Sequence, residues 1–311
     1  MRAVRIHAFG EPLRVDEVPE PEPGPGEVLV QVRYASVNPL DVWVTDGTVA
    51  GGSQPLPFVP GAEASGEVDG RPVVVRGAGL GVSRDGLYRE RAAVPEAAVL
   101  PVPEGLDLAQ ATALPIAGTT AWRLVHDVGR VGTEDRVLVL GASGGVGSLV
   151  VQLARQRGAT VWAQTTSPDK VGFLEELGVD RAVVAGPEDL ARAAADLQPT
   201  VVVDPLAGPF TPAAVEALAP FGRLVLFGAS AGPRAELDLR TLYRKAIQLL
   251  TYSGTIEPQG RNREALVQVL EAARKGEVRI PAVEVLPLEQ AAEAHRRIRE
   301  RRVRGKLLLA P

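Results

Sequence analysis

The sequence predicts an α/β fold in which a doubly wound parallel sheet occupies the middle of the chain. Short apolar runs alternate with amphipathic helical segments from about residue 137 to residue 228, which is the pattern of consecutive strand–helix units. The stretches before about residue 100 and after about residue 257 lack this alternation. Because 311 residues exceed the size of one typical core, we expect two domains.

The first hundred residues predict a compact, mostly antiparallel β-domain. Residues 28–34 alternate between apolar and polar as a half-buried strand does, and residues 73–75 and 90–94 are further strands with glycine-rich turns between them. Two helices then follow, at 108–114 and 116–125.

Two polar segments interrupt these strands. Residues 37–41 carry Asn38 and Asp41, and residues 55–63 end at Glu63. Buried Asn, Asp and Glu side chains need hydrogen-bond partners, so the segments are either turn caps and internal anchors or part of a functional site. Both interpretations stay open for Asp41 and Glu63.

The central motif reads Val-Leu-Val-Leu-Gly-Ala-Ser-Gly-Gly-Val-Gly over residues 137–147. Its apolar run predicts a strand buried on both faces, and apolar residues at three- and four-residue spacing beyond it predict a helix. The turn lies at the helix N-terminus, where unpaired N–H groups and the helix dipole favour a pyrophosphate. Ala142 stands where the dinucleotide fingerprint G-x-G-x-x-G has its first glycine, so a ligand-free strand–helix contact remains the alternative. The predicted cofactor residues of this turn are Ser143, Gly144, Gly145, Val146 and Gly147.

Other candidate residues follow the neighbouring strands. Thr165 and Thr166 come after the strand at 159–163, Asp204 ends the strand at 201–203, and Phe227 and Gly228 end a strand that starts at residue 224. Ligands of such sheets bind outside the carboxyl ends of the strands, so we expect Ser143, Thr166, Asp204 and Gly228 to converge there. The remaining elements of this region are a helix at 169–177, a strand at 182–185 and a helix at 188–197.

After residue 257 the pattern predicts a helix at 263–275, a strand at 282–285, a helix at 288–301 and a strand at 306–309. We expect the last strand to pair with the N-terminal domain.

Composition and charge narrow the class of protein. The chain is 45% hydrophobic and 23% charged with a net charge of -4, which is typical of a globular protein without a general nucleic-acid surface. No apolar run approaches the roughly 20 residues of a membrane span, and the N-terminus lacks a signal-peptide core, so we expect a cytoplasmic protein without a membrane partner. The absence of cysteine and the wide separation of the three histidines predict no metal site.

Together the motifs resemble the zinc-free quinone oxidoreductases of the medium-chain dehydrogenase/reductase superfamily, a group that includes zeta-crystallin. The resemblance covers essentially the whole chain. It implies a Rossmann-type dinucleotide-binding domain at 119–257, inserted in a mostly β, GroES-like catalytic domain made of residues 1–118 and 258–311. The landmarks are residues 38–41, 57–63, 102–106, 117–121 and 141–147 and the closing Gly305-Lys306.

The resemblance also implies the chemistry. Zinc-dependent alcohol dehydrogenases of the superfamily have a cysteine ligand where this chain resembles them at Asn38 and a histidine ligand at Ala62, and neither residue can replace those ligands. A zinc-free site favours an acceptor that is already electrophilic, a quinone or an α,β-unsaturated carbonyl, in the interdomain cleft. Asn38 and Thr120 are expected near the nicotinamide, with Asp41 on the substrate side. Phe227 and Gly228 are expected in the backbone cradle of the nicotinamide, and Lys306 among the cofactor residues.

The end of the second parallel strand favours NADPH. Residues 164–167 contain no carboxylate for a ribose 2′-hydroxyl, and Lys170 lies within reach of a 2′-phosphate. In the related enzymes the matching Ser/Thr and Lys hold that phosphate. Asp169 and Ala185 depart from the favourable pattern, and an exposed helix residue is the alternative for Lys170.

Two alternative functions remain open. The chain could reduce enoyl thioesters, or bind NADPH or RNA without turnover, since a fold does not establish chemistry.

The apolar residues 246–252 predict either the last strand of the cofactor domain or a homodimer in which sheet edges pair, as in relatives, and both can hold. No residue is assigned as the proton donor.

Overall fold

The computed structural model describes residues 1–49, 52 and 54–311, apart from the side chain of Gln259. The chain forms two compact units. Unit 1 consists of Met1–Ile116 and Leu266–Pro311, and unit 2 of Ala117–Ala265. The predicted domain limits, after residues 118 and 257, stay a prediction.

The strands lie in three sheets. Within the described residues they are β1 Arg2–Arg5, β2 Arg14–Glu17, β3 Glu27–Val37, β4 Glu63–Val68, β5 Arg71–Arg76, β6 Arg91–Pro95, β7 Val99–Pro101, β8 Arg136–Val139, β9 Thr160–Thr165, β10 Arg181–Val184, β11 Val201–Asp204, β12 Arg223–Leu226, β13 Gln248–Thr251, β14 Val283–Pro287 and β15 Lys306–Ala310.

The helices are mostly short. In the same part of the chain they are α1 Pro39–Thr45, α2 Leu108–Thr112, α3 Ala117–Arg123, α4 Gly145–Gln156, α5 Val171–Glu175, α6 Leu190–Ala193, α7 Phe210–Ala217, α8 Leu239–Lys245, α9 Gln259–Arg274 and α10 Ala291–Arg299.

Unit 1 is built on a seven-stranded sheet. Its strand order is β14-β15-β3-β4-β5-β7, and β6 also pairs with β3. Residues 29–33 of β3 alternate between exposed and buried side chains, so this part of the strand packs one face on the core and turns the other to solvent. β15 runs antiparallel to β3 with Leu307 opposite Val37, which brings the start of β15 beside the start of α1.

Unit 2 contains the predicted doubly wound parallel sheet. Its order is β10-β9-β8-β11-β12-β13, and every pair is parallel. Counted from β8, this is the strand order 3-2-1-4-5-6 of dinucleotide-binding sheets. The central strands β8 and β11 are buried on both faces, as their unbroken valine and leucine runs predict. The α/β fold expected from the sequence is confirmed.

Candidate functional site

The turn between β8 and α4 is held by Gln164, a buried residue of β9. Its Oε1 accepts a hydrogen bond from the Gly141 N–H at 3.0 Å, and its main-chain carbonyl accepts one from Ala142 at 3.1 Å. Its Nε2 donates to the Ala185 carbonyl at 2.6 Å. Gly141 has a φ of +57°, which favours glycine, so the tight turn falls one residue before Ala142. The sequence does not identify Gln164 as the anchor of this turn. At residues 164–167 it indicates only that no carboxylate is present to bind a ribose 2′-hydroxyl.

Two glycines of the motif have different surroundings. A Cβ on Gly147 would lie 2.7 Å from the Ala142 Cα and 2.8 Å from the Gly141 carbonyl oxygen, so helix and strand approach too closely for any side chain. A Cβ on Gly144, the N-cap of α4, would meet only the Gly141 oxygen at 3.6 Å. The backbone at Gly144 is therefore open to an approaching ligand.

The helix start supplies donors for an anion. Gly145, Val146 and Gly147 form the first turn of α4, whose N–H groups have no helical carbonyl before them. The 12 residues of α4 point the positive end of their dipole at the same place. Ser143 precedes this turn and is buried. The arrangement fits a pyrophosphate.

Asp204 ends β11 with both carboxylate oxygens engaged internally. Its Oδ1 accepts from the N–H groups of Leu206 and Ala207 at 2.8 and 3.0 Å, and its Oδ2 accepts from the Thr211 hydroxyl at 2.9 Å. Burial raises the pKa of the Asp204 carboxyl, against these three donors. The side chain has no exposed surface, so the geometry lends no support to direct contact with a cofactor.

The β12 end brings two backbone segments together. Phe227 donates its N–H to the Asp204 carbonyl at 3.1 Å, and a Cβ on Gly228 would lie 2.6 Å from the Pro205 oxygen. β9, β8, β11 and β12 are neighbours in one parallel sheet, so Thr166, Ser143, Asp204 and Gly228 follow strands that end at the same edge. Thr165, the last residue of β9, is buried and its hydroxyl accepts the Ser167 N–H at 3.1 Å, whereas Thr166, the next residue, is exposed. Lys170 is half-buried in the turn that follows, and Thr120 is buried in α3.

In unit 1, Asn38, Asp41 and Lys306 come together with Glu63, Tyr88 and His295; we call these six residues the buried polar cluster. Asp41 has no exposed surface. Its Oδ2 accepts from the Asn38 N–H at 2.8 Å and the Tyr88 hydroxyl at 3.1 Å, and its Oδ1 accepts from the Ala62 N–H at 2.9 Å. With three donors and no exposed surface, the carboxylate has a geometry that lends no support to the expected contact with a substrate. The geometry favours the alternative interpretation, an internal anchor for the start of α1, and the substrate-side role of Asp41 stays a prediction.

The Asn38 side chain lies between opposite charges. Its Oδ1 accepts from the Lys306 Nζ at 2.6 Å, and its Nδ2 donates to the Glu63 Oε1 at 2.8 Å. Lys306 also donates to Glu63 Oε1 at 3.1 Å and to the Val37 carbonyl at 3.3 Å. Since all three ammonium hydrogens have acceptors, the geometry lends no support to the expected contact of Lys306 with a cofactor.

Tyr88 and His295 complete the cluster. The Tyr88 hydroxyl lies 3.5 Å from the His295 Nε2, and the His295 Nδ1 lies 3.4 Å from the Thr45 hydroxyl. Burial, and then the charge of Asp41, raises the pKa of Tyr88 well above its ordinary value. The sequence did not single out either residue, because they lie 207 positions apart and neither has a motif around it.

Two groups of the cluster set how stability depends on pH. Burial raises the pKa of Asp41 to about 6 from an ordinary 3.8, and burial lowers the pKa of His295 to about 3 from 6.5. Asp41 therefore contributes stability that is complete below pH 3.8 and is lost as the pH rises through 6. His295 contributes stability that is present above pH 6.5 and is lost as the pH falls towards 3.

Replacing His295 with Gln is expected to change the effect of mild acid. Between about pH 7 and pH 5 the wild-type chain loses about 2 kcal/mol of unfolding free energy through His295 and gains about 1 kcal/mol through Asp41. The variant keeps only the gain, so its stability relative to the wild type should rise by about 2 kcal/mol over this range. Urea unfolding at both pH values measures the difference, and parallel pH dependences in the two proteins would contradict the assignment.

The parallel sheet with its glycine turn is the architecture of a dinucleotide-binding domain, and comparisons with known proteins give the family. Residues 24–104 match the alcohol dehydrogenase GroES-like domain and residues 145–272 match the zinc-binding dehydrogenase family. The chain belongs to the medium-chain dehydrogenase/reductase superfamily and is a quinone-oxidoreductase-like oxidoreductase. The resemblance expected from the sequence is confirmed.

Three similar proteins illustrate the range of the family. The chain is 30% identical to the rat (Rattus norvegicus) synaptic vesicle membrane protein VAT-1 homolog, over 94% of this chain and 78% of that protein. It is 34% identical to the crystal structure of an NAD-dependent alcohol dehydrogenase, with a TM-score of 0.90 and complete coverage of both chains. It is 30% identical to the quinone oxidoreductase of Thermus thermophilus, solved also as its complex with NADPH, with a TM-score of 0.87 and complete coverage of both. The fold and these neighbours support NAD(P) binding.

The zinc in the name of the matched family does not fit the residues of the cluster. Ala62 has no donor atom in its side chain, and the Asn38 carboxamide is engaged at both ends by Lys306 and Glu63. Across residues 1–49, 52 and 54–311, no group of three or more His, Cys, Asp or Glu is placed to hold a metal ion. No helix in that part of the chain is long and apolar enough to cross a membrane.

Proposed function

We propose that this protein is an NADPH-dependent, zinc-independent reductase of quinones or α,β-unsaturated carbonyls. The observation that carries the proposal is the turn before α4, where Gly144 leaves the backbone open and Gln164 fixes the glycine loop. A dinucleotide pyrophosphate matches this turn in shape and charge. When bound, the nicotinamide supplies the hydride.

Residues of the glycine turn, of the ends of β9 and β12 and of the buried polar cluster have separate roles in binding the cofactor. The N–H groups of residues 145–147 hold the pyrophosphate, and Thr166 and Lys170 hold the 2′-phosphate after β9. Phe227 and Gly228 bring main chain close to the ring, because no side chain at residue 228 separates the two backbones. Asn38 and Thr120 orient the nicotinamide, and Asp41 keeps Asn38 in place through its N–H.

The acceptor follows from the charges of the cluster. A metal Lewis acid lowers the barrier of alcohol chemistry by holding an alkoxide. Lys306 and Glu63 instead form a neutralised pair that is fully engaged with Asn38. An acceptor that needs no Lewis acid, such as a quinone or an enone, suits this site.

The first experiment is to follow NADPH oxidation with 1,4-benzoquinone or 9,10-phenanthrenequinone, beside a parallel run with NADH. Turnover with a preference for NADPH is the expected result. Turnover of primary alcohols with NAD⁺ after zinc is added would overturn the proposal in favour of an alcohol dehydrogenase. NADPH binding without turnover of either quinone would favour an enoyl thioester substrate or a binding protein.

Replacing Lys170 with Ala is expected to weaken NADPH binding about tenfold and to leave NADH binding unchanged, because one charge-assisted bond to the 2′-phosphate is worth about 1.5 kcal/mol. Fluorescence titration with both nucleotides measures the ratio. Lys275→Ala, at an exposed lysine after α9, is the matched control. Unchanged NADPH affinity in Lys170→Ala would remove the residue from this role.

We also propose a homodimer that pairs through the outer edge of β13, the last strand of its sheet. Leu249 on this strand is 49% exposed, and Leu239 and Tyr243 of the preceding α8 are each 71% exposed. Leu249→Asp is expected to halve the mass measured by light scattering. Val285→Asp, at a residue 43% exposed on the edge strand β14, is the control and should leave the mass unchanged. A wild-type monomer at working concentration would contradict the dimer.

A further inference from the structure

The backbone that places Lys306 in the buried polar cluster admits only glycine at the preceding position, residue 305. Gly305 has a φ of +65°, and a Cβ there would lie 2.0 Å from the Ala282 carbonyl oxygen. The Lys306 N–H donates to that same oxygen at 2.9 Å. The antiparallel pairing of β15 with β3 then sets the lysine beside Asn38. The Lys306 side chain is only 5% exposed.

The cluster determines which way the Asn38 carboxamide points. An ammonium can only donate, so it selects the amide oxygen, and an ionised carboxylate can only accept, so it selects the amide nitrogen. Lys306 and Glu63 lie on the corresponding atoms, at 2.6 and 2.8 Å. In a flipped carboxamide, the Asn38 nitrogen would face the Lys306 ammonium and the Asn38 oxygen would face the Glu63 carboxylate. Neither contact is a hydrogen bond, so the ion pair permits one orientation of the side chain.

The ammonium also balances charge. Asp41 and Glu63 place two carboxyl groups with no exposed surface in the same cluster, and Lys306 pairs with the second at 3.1 Å. Without Lys306, the Glu63 Oε1 keeps only the Asn38 amide, and the Asn38 Oδ1 loses its donor. The orientation of the asparagine then depends on its amide nitrogen alone, which donates to Glu63 Oε1 at 2.8 Å and to the Ser36 carbonyl at 3.4 Å.

We propose that Lys306 is the positioning residue of this site: an internal cation that locks the Asn38 carboxamide in the orientation used for the nicotinamide, in the cluster where zinc does not fit. This inference rests on the proposed function, because it takes Asn38 as a nicotinamide contact. It assigns Lys306 to Asn38 and not to a phosphate of the cofactor. Its effect is on kcat and not on nucleotide affinity.

The test compares Lys306→Ala with Lys245→Ala. Lys245 is a matched control, because its Nζ also donates to three oxygens, the carbonyls of Val215, Glu216 and Leu218, which are remote in sequence from the cluster. Lys306→Ala is expected to lower kcat about 10- to 100-fold, as a displaced catalytic contact does, with the NADPH Kd changed less than about twofold. n-Propylammonium, which replaces the missing part of the side chain, should restore at least about one third of the loss on a logarithmic scale. Lys245→Ala should lower the melting temperature and leave kcat unchanged, with or without the amine.

The outcomes distinguish a positioning role of Lys306 from a cofactor-binding role and from a purely structural role. A tenfold rise in NADPH Kd with little change in kcat would return Lys306 to the cofactor and overturn the inference. Loss of kcat in Lys306→Ala without rescue, matched by Lys245→Ala, would leave a structural role alone and also overturn it. If Lys306→Ala does not fold, the neutral double variant Glu63→Gln/Lys306→Met takes its place, and a wild-type kcat in that protein counts against the inference.

An inactive wild-type protein would contradict the proposed function, but it would not test whether Lys306 fixes the orientation of the Asn38 carboxamide. In that case hydrogen exchange of the Asn38 side-chain amide by NMR decides. Slow exchange that is lost in Lys306→Ala and regained with n-propylammonium supports the inference. Exchange that is the same in wild type and variant overturns it.

Discussion

Replacing Glu63 with Gln is expected to lower the free energy of unfolding by about 3–5 kcal/mol, because the substitution leaves a buried ammonium without its counter-ion. The Glu63 side chain has no exposed surface, and its Oε1 lies 3.1 Å from the Nζ of Lys306, whose side chain is 5% exposed. Whichever way the amide of the variant turns, its NH2 group faces a donor. It faces either the Ile116 N–H, which donates to Glu63 Oε2 in the wild type, or the Asn38 and Lys306 nitrogens, which both donate to Oε1.

Urea unfolding of the wild type and the variant measures this loss. Glu67→Gln is the control on the same strand, because the Glu67 ion pair with Arg33 is 31% and 47% exposed and should contribute less than about 1 kcal/mol. Adding Lys306→Met to Glu63→Gln removes the unpaired charge, so the double variant should be more stable than Glu63→Gln alone. A Glu63→Gln protein as stable as Glu67→Gln would mean that water reaches the ion pair.

The parallel sheet could be predicted because each of its central strands is recognisable from a short segment of the sequence. Residues 137–140 and 201–203 are unbroken apolar runs, and a strand buried on both faces needs no partner elsewhere in the chain to explain such a run. The glycine turn is equally local, since strand, turn and helix start follow one another within about a dozen residues. Even here the tight turn uses Gly141 and the anchor is Gln164, which is 23 positions away.

The buried polar cluster could be predicted only in part, because its contacts join distant positions. Asn38, Asp41 and Glu63 were candidates from local composition, but the hydrogen bond from Lys306 to Glu63 spans 243 positions. No pattern within either segment states which carboxylate meets that lysine. The three hydrogen-bond donors of Asp41, which favour its interpretation as an internal anchor, likewise become visible only in the structure.

Helix lengths were predicted least well in unit 2. The segment at 188–197 has helical composition, but α6 covers only Leu190–Ala193. The predicted helix at 169–177 is a 3-10 turn at Pro168–Lys170 followed by α5. Gly172 and Gly178 weaken this stretch, and a short amphipathic segment gains most of its stability from packing and not from propensity.

Replacing Gly147 with Ala is expected to lower the unfolding free energy by about 1–3 kcal/mol, as overpacking of a tight interior does. It should also weaken NADPH binding by about 10- to 100-fold, which corresponds to one lost charge-assisted hydrogen bond. The new methyl group would lie 2.7 Å from the Ala142 Cα and 2.8 Å from the Gly141 oxygen. Both are backbone atoms that cannot rotate away, so α4 must move off β8 and carry its first-turn N–H groups with it.

Gly144→Ala is the matched variant and separates packing from ligand contact. The Gly144 φ of -80° is allowed for alanine, and its Cβ would meet only one oxygen at 3.6 Å, so the stability of this variant should equal that of the wild type within about 0.5 kcal/mol. Its NADPH affinity should nevertheless fall, because the methyl group fills the space through which the pyrophosphate reaches the backbone. Urea unfolding and fluorescence titration of both variants give the two quantities independently. Normal NADPH affinity in Gly144→Ala would place the phosphates elsewhere, whereas lost stability in Gly147→Ala alone would assign one glycine to the fold and the other to the cofactor.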